Sequence, residues 1–198
     1  ARKTHPSEKI IINEIKSFVL NNIDWKCEVK TLFRKKNLGC KNAISGAIDW
    51  VFEDEEQAII LEDDCVPSIS FFQFCQEMLE KYKNDESVMH INGTFYLKDV
   101  ININASYYFS KLNSVWGWAT WKRAWYHYDP LMKGYLEAKE KKGIEKYFDN
   151  KDIEYFMTKY FDDVYHNQHG SNWDPVWSYA ILKKGALCIS PTSNLVKN

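Results

Sequence analysis

Three carboxylates in succession, Glu62, Asp63 and Asp64, follow the short apolar run 58–61. Neighbouring carboxylates repel one another, and their pKa values rise unless a cation relieves the conflict. A hard divalent ion is suited to that task. Mn2+ or Mg2+ prefers oxygen ligands, commonly one or two carboxylates together with the phosphates of a nucleotide. A solvated acidic turn is the plainer account of such a run, but ligand sites in open α/β sheets form beyond the carboxyl ends of strands, and that position favours the metal. A fourth acid, Asp174, stands before Pro175. It either caps the helix that Pro175 begins or acts as a general base toward an attacking hydroxyl, with Trp173 and Trp177 as pocket walls.

Eight tryptophans contribute to a 16% aromatic content and crowd mainly between Trp116 and Trp177. Most of these rings are expected in a core. A few suit a sugar site, because a flat aromatic face matches the C–H face of a pyranose. The basic group Arg34, Lys35, Lys36 and Lys41 is either a solvated loop or a partner for a diphosphate. His166 and His169 receive no role, and no P-loop or dinucleotide fingerprint occurs.

The elements that must position these groups are legible in the periodicity. Residues 7–22 carry Ile11, Ile15, Phe18 and Val19 at helical spacing, and 27–33 alternate as a strand. Cys40, Ala43, Ile44, Ala47, Ile48 and Val51 mark one face of a second helix. The run 58–61 reads as a central strand buried on both faces. Ser70 with Gln73 forms a capping box for a third helix, and 87–91 is a further strand. In the second half, 107–110 is a strand, charged helical stretches lie between about 133 and 165, and 186–190 is a last strand after Gly185 ends a helix. Alternating strands and helices predict an α/β domain with a mostly parallel sheet flanked by helices.

With 198 residues, 45% hydrophobic and 27% charged, the chain has enough apolar material for one domain with a core. Its net charge of −1, from 26 basic and 27 acidic residues, gives no global attraction to nucleic acid. No run approaches the roughly 20 apolar residues of a membrane span, so the expectation is a chain without a transmembrane segment. Five cysteines without a C-x-x-C pair fit a reducing cytoplasm better than a disulfide framework.

Three stretches, N-L-G-C-K-N-A-I-S-G-A-I-D-W-V-F, I-L-E-D-D-C-V-P-S-I-S-F-F and V-W-G-W-A-T-W-K-R-A-W, resemble a bacterial group of GT-A glycosyltransferases whose genes are associated with surface polysaccharides. The order of landmarks is also similar to that of the N-acetylglucosaminyltransferase I-like family: an acidic triplet at Glu62–Asp64, a G-x-G-W-like segment at Trp116, Gly117 and Trp118, a W-D pair at Trp173 and Asp174, and C-x-x-P from Cys188 to Pro191. The resemblance implies a GT-A-like nucleotide-diphospho-sugar transferase that uses Mn2+ or Mg2+. In it Asp64 is the metal ligand, Asp63 faces the donor ribose and Glu62 reaches the donor sugar. Trp116, Gly117, Trp118 and Trp173 belong to the donor site, and Asp174 is the base of an inverting transfer to a glycan acceptor. A carbohydrate-binding module or an inactive pseudoenzyme on the same fold is the alternative. The location implied is cytoplasmic, at the inner face of the membrane where the full protein associates with it peripherally. The resemblance further implies that 1–198 is one domain incomplete at both ends. It lacks a first strand, helix and second strand before the segment at Ala1-Arg2-Lys3, and a glycine-rich loop after Asn198. Weak or undetectable donor binding is therefore expected of these residues alone.

Overall fold

A computed structural model describes residues 7–97, 100, 103–141, 143–144, 147–167 and 172–198. Ala1-Arg2-Lys3 and His169 lie outside the described residues. The chain is a mixed α/β structure. Helices α1 (Glu8–Asn21) and α2 (Gly39–Asp54) lead to β1 (Gln57–Ile60) and the short β2 (Val66–Pro67). Then come α3 (Ile69–Lys81), β3 (Val88–Asn92), β4 (Tyr107–Ser110), β5 (Trp118–Trp121) and α4 (Lys122–Trp125). Helices α5 (Tyr135–Glu140), α6 (Lys151–His166) and α7 (Asp174–Lys184) precede β6 (Leu187–Pro191) and β7 (Val196–Lys197).

Five strands form one sheet in the order β1-β5-β3-β6-β4, and β2 pairs with β7 in a separate ribbon. Among the described residues only β3 and β6 are parallel neighbours; β1 with β5, β5 with β3, and β6 with β4 are antiparallel. The sheet is thus mixed and mostly antiparallel in its pairings, which corrects the expectation of a mostly parallel one. The cause is β5. Its sequence, Trp-Ala-Thr-Trp, has no apolar–polar alternation to announce a strand, yet all four residues are buried and it inserts between β1 and β3. The two ends of β5 meet different helices. Trp121 donates to the Leu79 carbonyl of α3 at 3.0 Å, while Trp118 packs against Trp177 of α7.

The run expected as a central strand is instead an edge strand among the described residues, and its residues are only partly buried. No described segment pairs with its outer side, because residues 27–33, expected as a strand, form no ladder and are exposed throughout. Local readings fail in one more place. Helix α3 starts at Ile69 with Ser68 in the cap position and no side-chain cap bond, so the capping box of Ser70 and Gln73 does not form. The amphipathic stripe of α3 holds, burying Phe71, Cys75, Met78 and Leu79 at positions i, i+4, i+7 and i+8.

Two apolar clusters share α7. The larger joins α2, α3, β3, β5 and β6 through Ile48, Phe52, Phe71, Met78, Ile91, Trp118, Trp177 and Ile189. The smaller packs α5 and α6 on the other side of α7 through Tyr135, Phe161, Val176 and Tyr179. Helix α7 ends in Gly185 at φ 63°, a left-handed conformation that favours glycine, with its amide on the Leu182 carbonyl.

Candidate functional site

Strands β1, β3 and β6 run in one direction, so their carboxyl ends share a side of the sheet, and antiparallel β5 brings its amino end to the same side. The register places Ile60 opposite Trp118 and Asn92 opposite Trp118. Consequently the acidic run after β1 and the segment Val115-Trp116-Gly117 before β5 lie at one end of the sheet. The chains approach closely there. The Gly93 amide donates to the Gly117 carbonyl at 2.8 Å, and a side chain at Gly93 would collide with that oxygen and with Phe71. Gly117 has φ 65° and faces Val196, so both positions require glycine.

A cleft of about 210 Å³ opens at this end, lined by Cys40, Glu62, Asp64, Val115, Trp116, Asn172, Trp173 and Asp174. Residues from four distant parts of the sequence meet in it. Its volume is below the roughly 300 Å³ at which pockets accommodate drug-sized ligands, so it suits a phosphate, a metal or one sugar ring. A larger hollow of about 450 Å³ runs along the outer edge of β1 and the apolar side of α2, from Ile44 and Val51 to Glu62 and Asp63. Glu62 borders both hollows; Asp64 faces the cleft and Asp63 the groove.

The electrostatics fit a cation. Burial raises the Glu62 pKa first, and the negative charges of Asp64, Asp174 and Asp63 raise it further, against a hydrogen bond from Trp173 that lowers it. The Cys40 thiol is likewise pushed up, by burial and then by Glu62, Asp174 and Asp63. Among the described residues no group of three His, Cys, Asp or Glu side chains has a geometry that encloses a metal. Glu62 and Asp64 are the acidic side chains that line the cleft beside Asp174. Cys40 belongs to the first turn of α2, so the positive end of that helix dipole adjoins the cleft.

Asp174 is the first residue of α7, with Trp173 in the cap position and no side-chain cap bond there. Its carboxylate engages another partner: the Tyr160 hydroxyl of α6 donates to Asp174 Oδ2 at 2.6 Å. Burial, and then Asp174 itself, push the Tyr160 pKa upward, so the phenol stays a donor. Tyr160 carries no sequence signal beyond its place on an amphipathic helix.

The tryptophans divide. Trp116 is 43% exposed and lines the cleft, and Trp173, only 2% exposed, lines it as well. Trp118 and Trp177 are both 0% exposed. Neither lines the cleft: Trp118, read as a donor contact, and Trp177, read as a wall, are buried in the core behind it. Trp118 stacks on Trp173 at 5.6 Å and on His90 at 4.9 Å. His90 is itself buried, its pKa lowered to about 4 by desolvation. The Trp177 indole N–H donates to His90 Nδ1 at 3.1 Å, so Nε2 carries the proton and donates to the Ser114 carbonyl at 2.9 Å. None of Arg34, Lys35, Lys36 and Lys41 lines the cleft; Lys41 is buried in α2, and Arg34 lies against Gly46.

No protein-family model matches the chain, and comparison with curated proteins finds no match either.

Proposed function

We propose that this chain carries the reaction centre of a metal-dependent, inverting GT-A-like glycosyltransferase, which moves a sugar from a nucleotide-diphosphate donor to a hydroxyl of a glycan in surface polysaccharide synthesis. One observation carries the reading: Glu62, Asp64, Trp116, Trp173 and Asp174, far apart in sequence, line a single cleft. A mutually repelling carboxylate set beside one exposed and one buried indole is a chemistry for metal, phosphate and sugar together.

Asp64 would hold Mn2+ or Mg2+ with the donor diphosphate. The ion supplies neutralisation of the charge that develops on the leaving diphosphate. Glu62, oriented by Trp173, accepts hydrogen bonds from the donor sugar, while Asp63 on the groove side meets the ribose. Asp174 takes the proton of the acceptor hydroxyl as its oxygen bonds to the anomeric carbon and the bond from that carbon to the diphosphate breaks. Tyr160 occupies Oδ2, which directs Oδ1 to this task.

Release of nucleoside diphosphate from a panel of nucleotide sugars, with and without glycan acceptors, tests the proposal in the full-length protein. Wild type should turn over, and Asp174→Asn should lose about 10²–10⁴ in rate while retaining donor binding. A wild type that binds glycans yet never turns a donor over would assign the exposed Trp116 to a carbohydrate-binding module instead.

A further inference from the structure

The segment 111–117 links β4 to β5 without regular structure of its own, yet it is fastened with unusual density. Ser114 is the point of attachment. Its amide donates to Asn92 Oδ1 at 2.5 Å, and its carbonyl accepts from His90 at 2.9 Å. Its hydroxyl accepts from Thr94 at 2.8 Å and pairs with the Tyr96 hydroxyl at 3.1 Å. Asn92, 3% exposed, is in turn fixed by donating to Ser190 at 2.7 Å and to the Leu112 carbonyl at 3.3 Å. These bonds contribute little to the apolar core. Their product is an orientation: they hold two large rings outward. Tyr96 is 62% and Trp116 43% exposed, and the rings meet edge to face with centroids 5.8 Å apart. Exposed rings on a surface are ordinarily left to find their own rotamers; here the Tyr96 hydroxyl is tied to Ser114, Trp116 follows that anchored residue by two positions, and the two rings brace each other, so the pair is preorganised.

We infer that Tyr96 and Trp116 form the platform on which the terminal pyranose of the acceptor glycan docks, a subsite beside the carboxylates. This rests on the glycosyltransferase reading for the word acceptor, but the sugar chemistry stands on the geometry itself. An aromatic corner supplies apolar faces for the axial C–H groups of a sugar. In the neighbouring cleft Asp174 accepts a hydrogen bond from one of its hydroxyls, while Glu62 and Asp64 add further negative charge. The phosphates of a nucleotide are repelled by them in the absence of a metal. Bound here, a sugar ring places a hydroxyl toward Asp174, because Trp116 and Asp174 border the same cleft.

The test is binding, without nucleotide or metal, to a panel of maltotriose, cellotriose, chitotriose and lactose-based tetrasaccharides, followed by Trp fluorescence and protein NMR on the full-length protein. At least one should bind at millimolar concentration. Tyr96→Ala should weaken it roughly tenfold, the factor equivalent to about 1.4 kcal/mol. Tyr96→Phe, which keeps the ring, should lose far less. Absence of glycan binding in a folded wild type overturns the platform, as does unchanged affinity in Tyr96→Ala. A loss of nucleotide rather than glycan affinity in Tyr96→Ala would reassign the rings to base stacking and equally overturn it. Failure of donor turnover alone, with glycan binding intact, counts against the transferase reading and not against the platform.

Discussion

Helix α1 and helix α7 have opposite histories in sequence and structure. The first has a clean amphipathic pattern and buries none of its residues; Ile10, Ile11, Ile15, Phe18 and Val19 are all more than half exposed. The second has little amphipathic pattern and buries seven of its eleven residues between the two apolar clusters. Periodicity reports which face of a helix is apolar, whereas burial depends on whether a partner surface stands opposite. Around α7 partners exist on both sides, which permits an apolar residue at nearly every position. The same contrast separates the site. Its Trp173 and Asp174 side rests on α7 and the core, while its Glu62–Asp64 side follows the edge strand β1 and borders an open apolar groove.

The largest effect that sharpens this comparison is Trp177→Ala. It removes a wholly buried ring that touches Trp118, Trp125 and His90, and should cost about 3–5 kcal/mol in urea denaturation. Phe18→Ala in α1 should lie within about 0.5 kcal/mol of wild type. Equal costs at the two positions would show that α1 has a covering surface and would break the contrast.

Next in size is the pH dependence of the core behind the site. His90 has a folded pKa of about 4 against an ordinary 6.5, so the unfolded chain takes up the proton first as pH falls. Its contribution to stability is complete above about 6.5 and is lost between there and about 4, a loss on the order of 3 kcal/mol. In His90→Gln the slope of stability against pH should flatten across that window; an unchanged slope would mean that His90 accepts a proton in the folded state. Glu62 has the reverse sign. Its raised folded pKa makes its ionised form unfavourable at neutral pH, and this penalty is relieved as pH falls through the raised value toward the ordinary 4.5.

Smaller effects separate capping from catalysis. Tyr160→Phe removes the hydrogen bond to Asp174 and should cost roughly 1–2 kcal/mol, while turnover falls less than in Asp174→Asn. Asp174→Asn itself should change stability by no more than about 1 kcal/mol, since the charge lies in the first turn of α7 and is not a cap. A large stability loss in Asp174→Asn with little change in turnover would make the residue structural.

Much of the fold was legible because its signals are local. The run 107–110 is β4 without adjustment, and Gly185 ends α7 as its type demands. Elements defined by their partners were not. β5 has no alternation because both its faces are covered, residues 27–33 alternate and remain unpaired, and Phe52 joins the core outside the face assigned to α2. In the site, the acidic run pointed to Glu62, Asp63 and Asp64, and an acid before Pro175 pointed to Asp174; Glu62, Asp64 and Asp174 line one cleft, while Asp63 borders the groove beside it. Trp118 and Trp116 are two residues apart, yet only one reaches solvent, which the sequence does not distinguish. Tyr160, Tyr96 and His90 act through contacts with residues distant in sequence, and a single chain carries no mark of such pairings.

The most direct test of the proposed metal and diphosphate site is the thermal unfolding of the full-length protein with manganese and UDP, GDP, ADP or CDP, each alone and in combination. One nucleotide should stabilise the protein only together with manganese, by about 2.7 kcal/mol at one hundred times its dissociation constant. Asp64→Ala should abolish that coupling while unfolding at the wild-type temperature without ligands. Full stabilisation of the Asp64→Ala protein, or none of the wild type by any pair, would contradict the account.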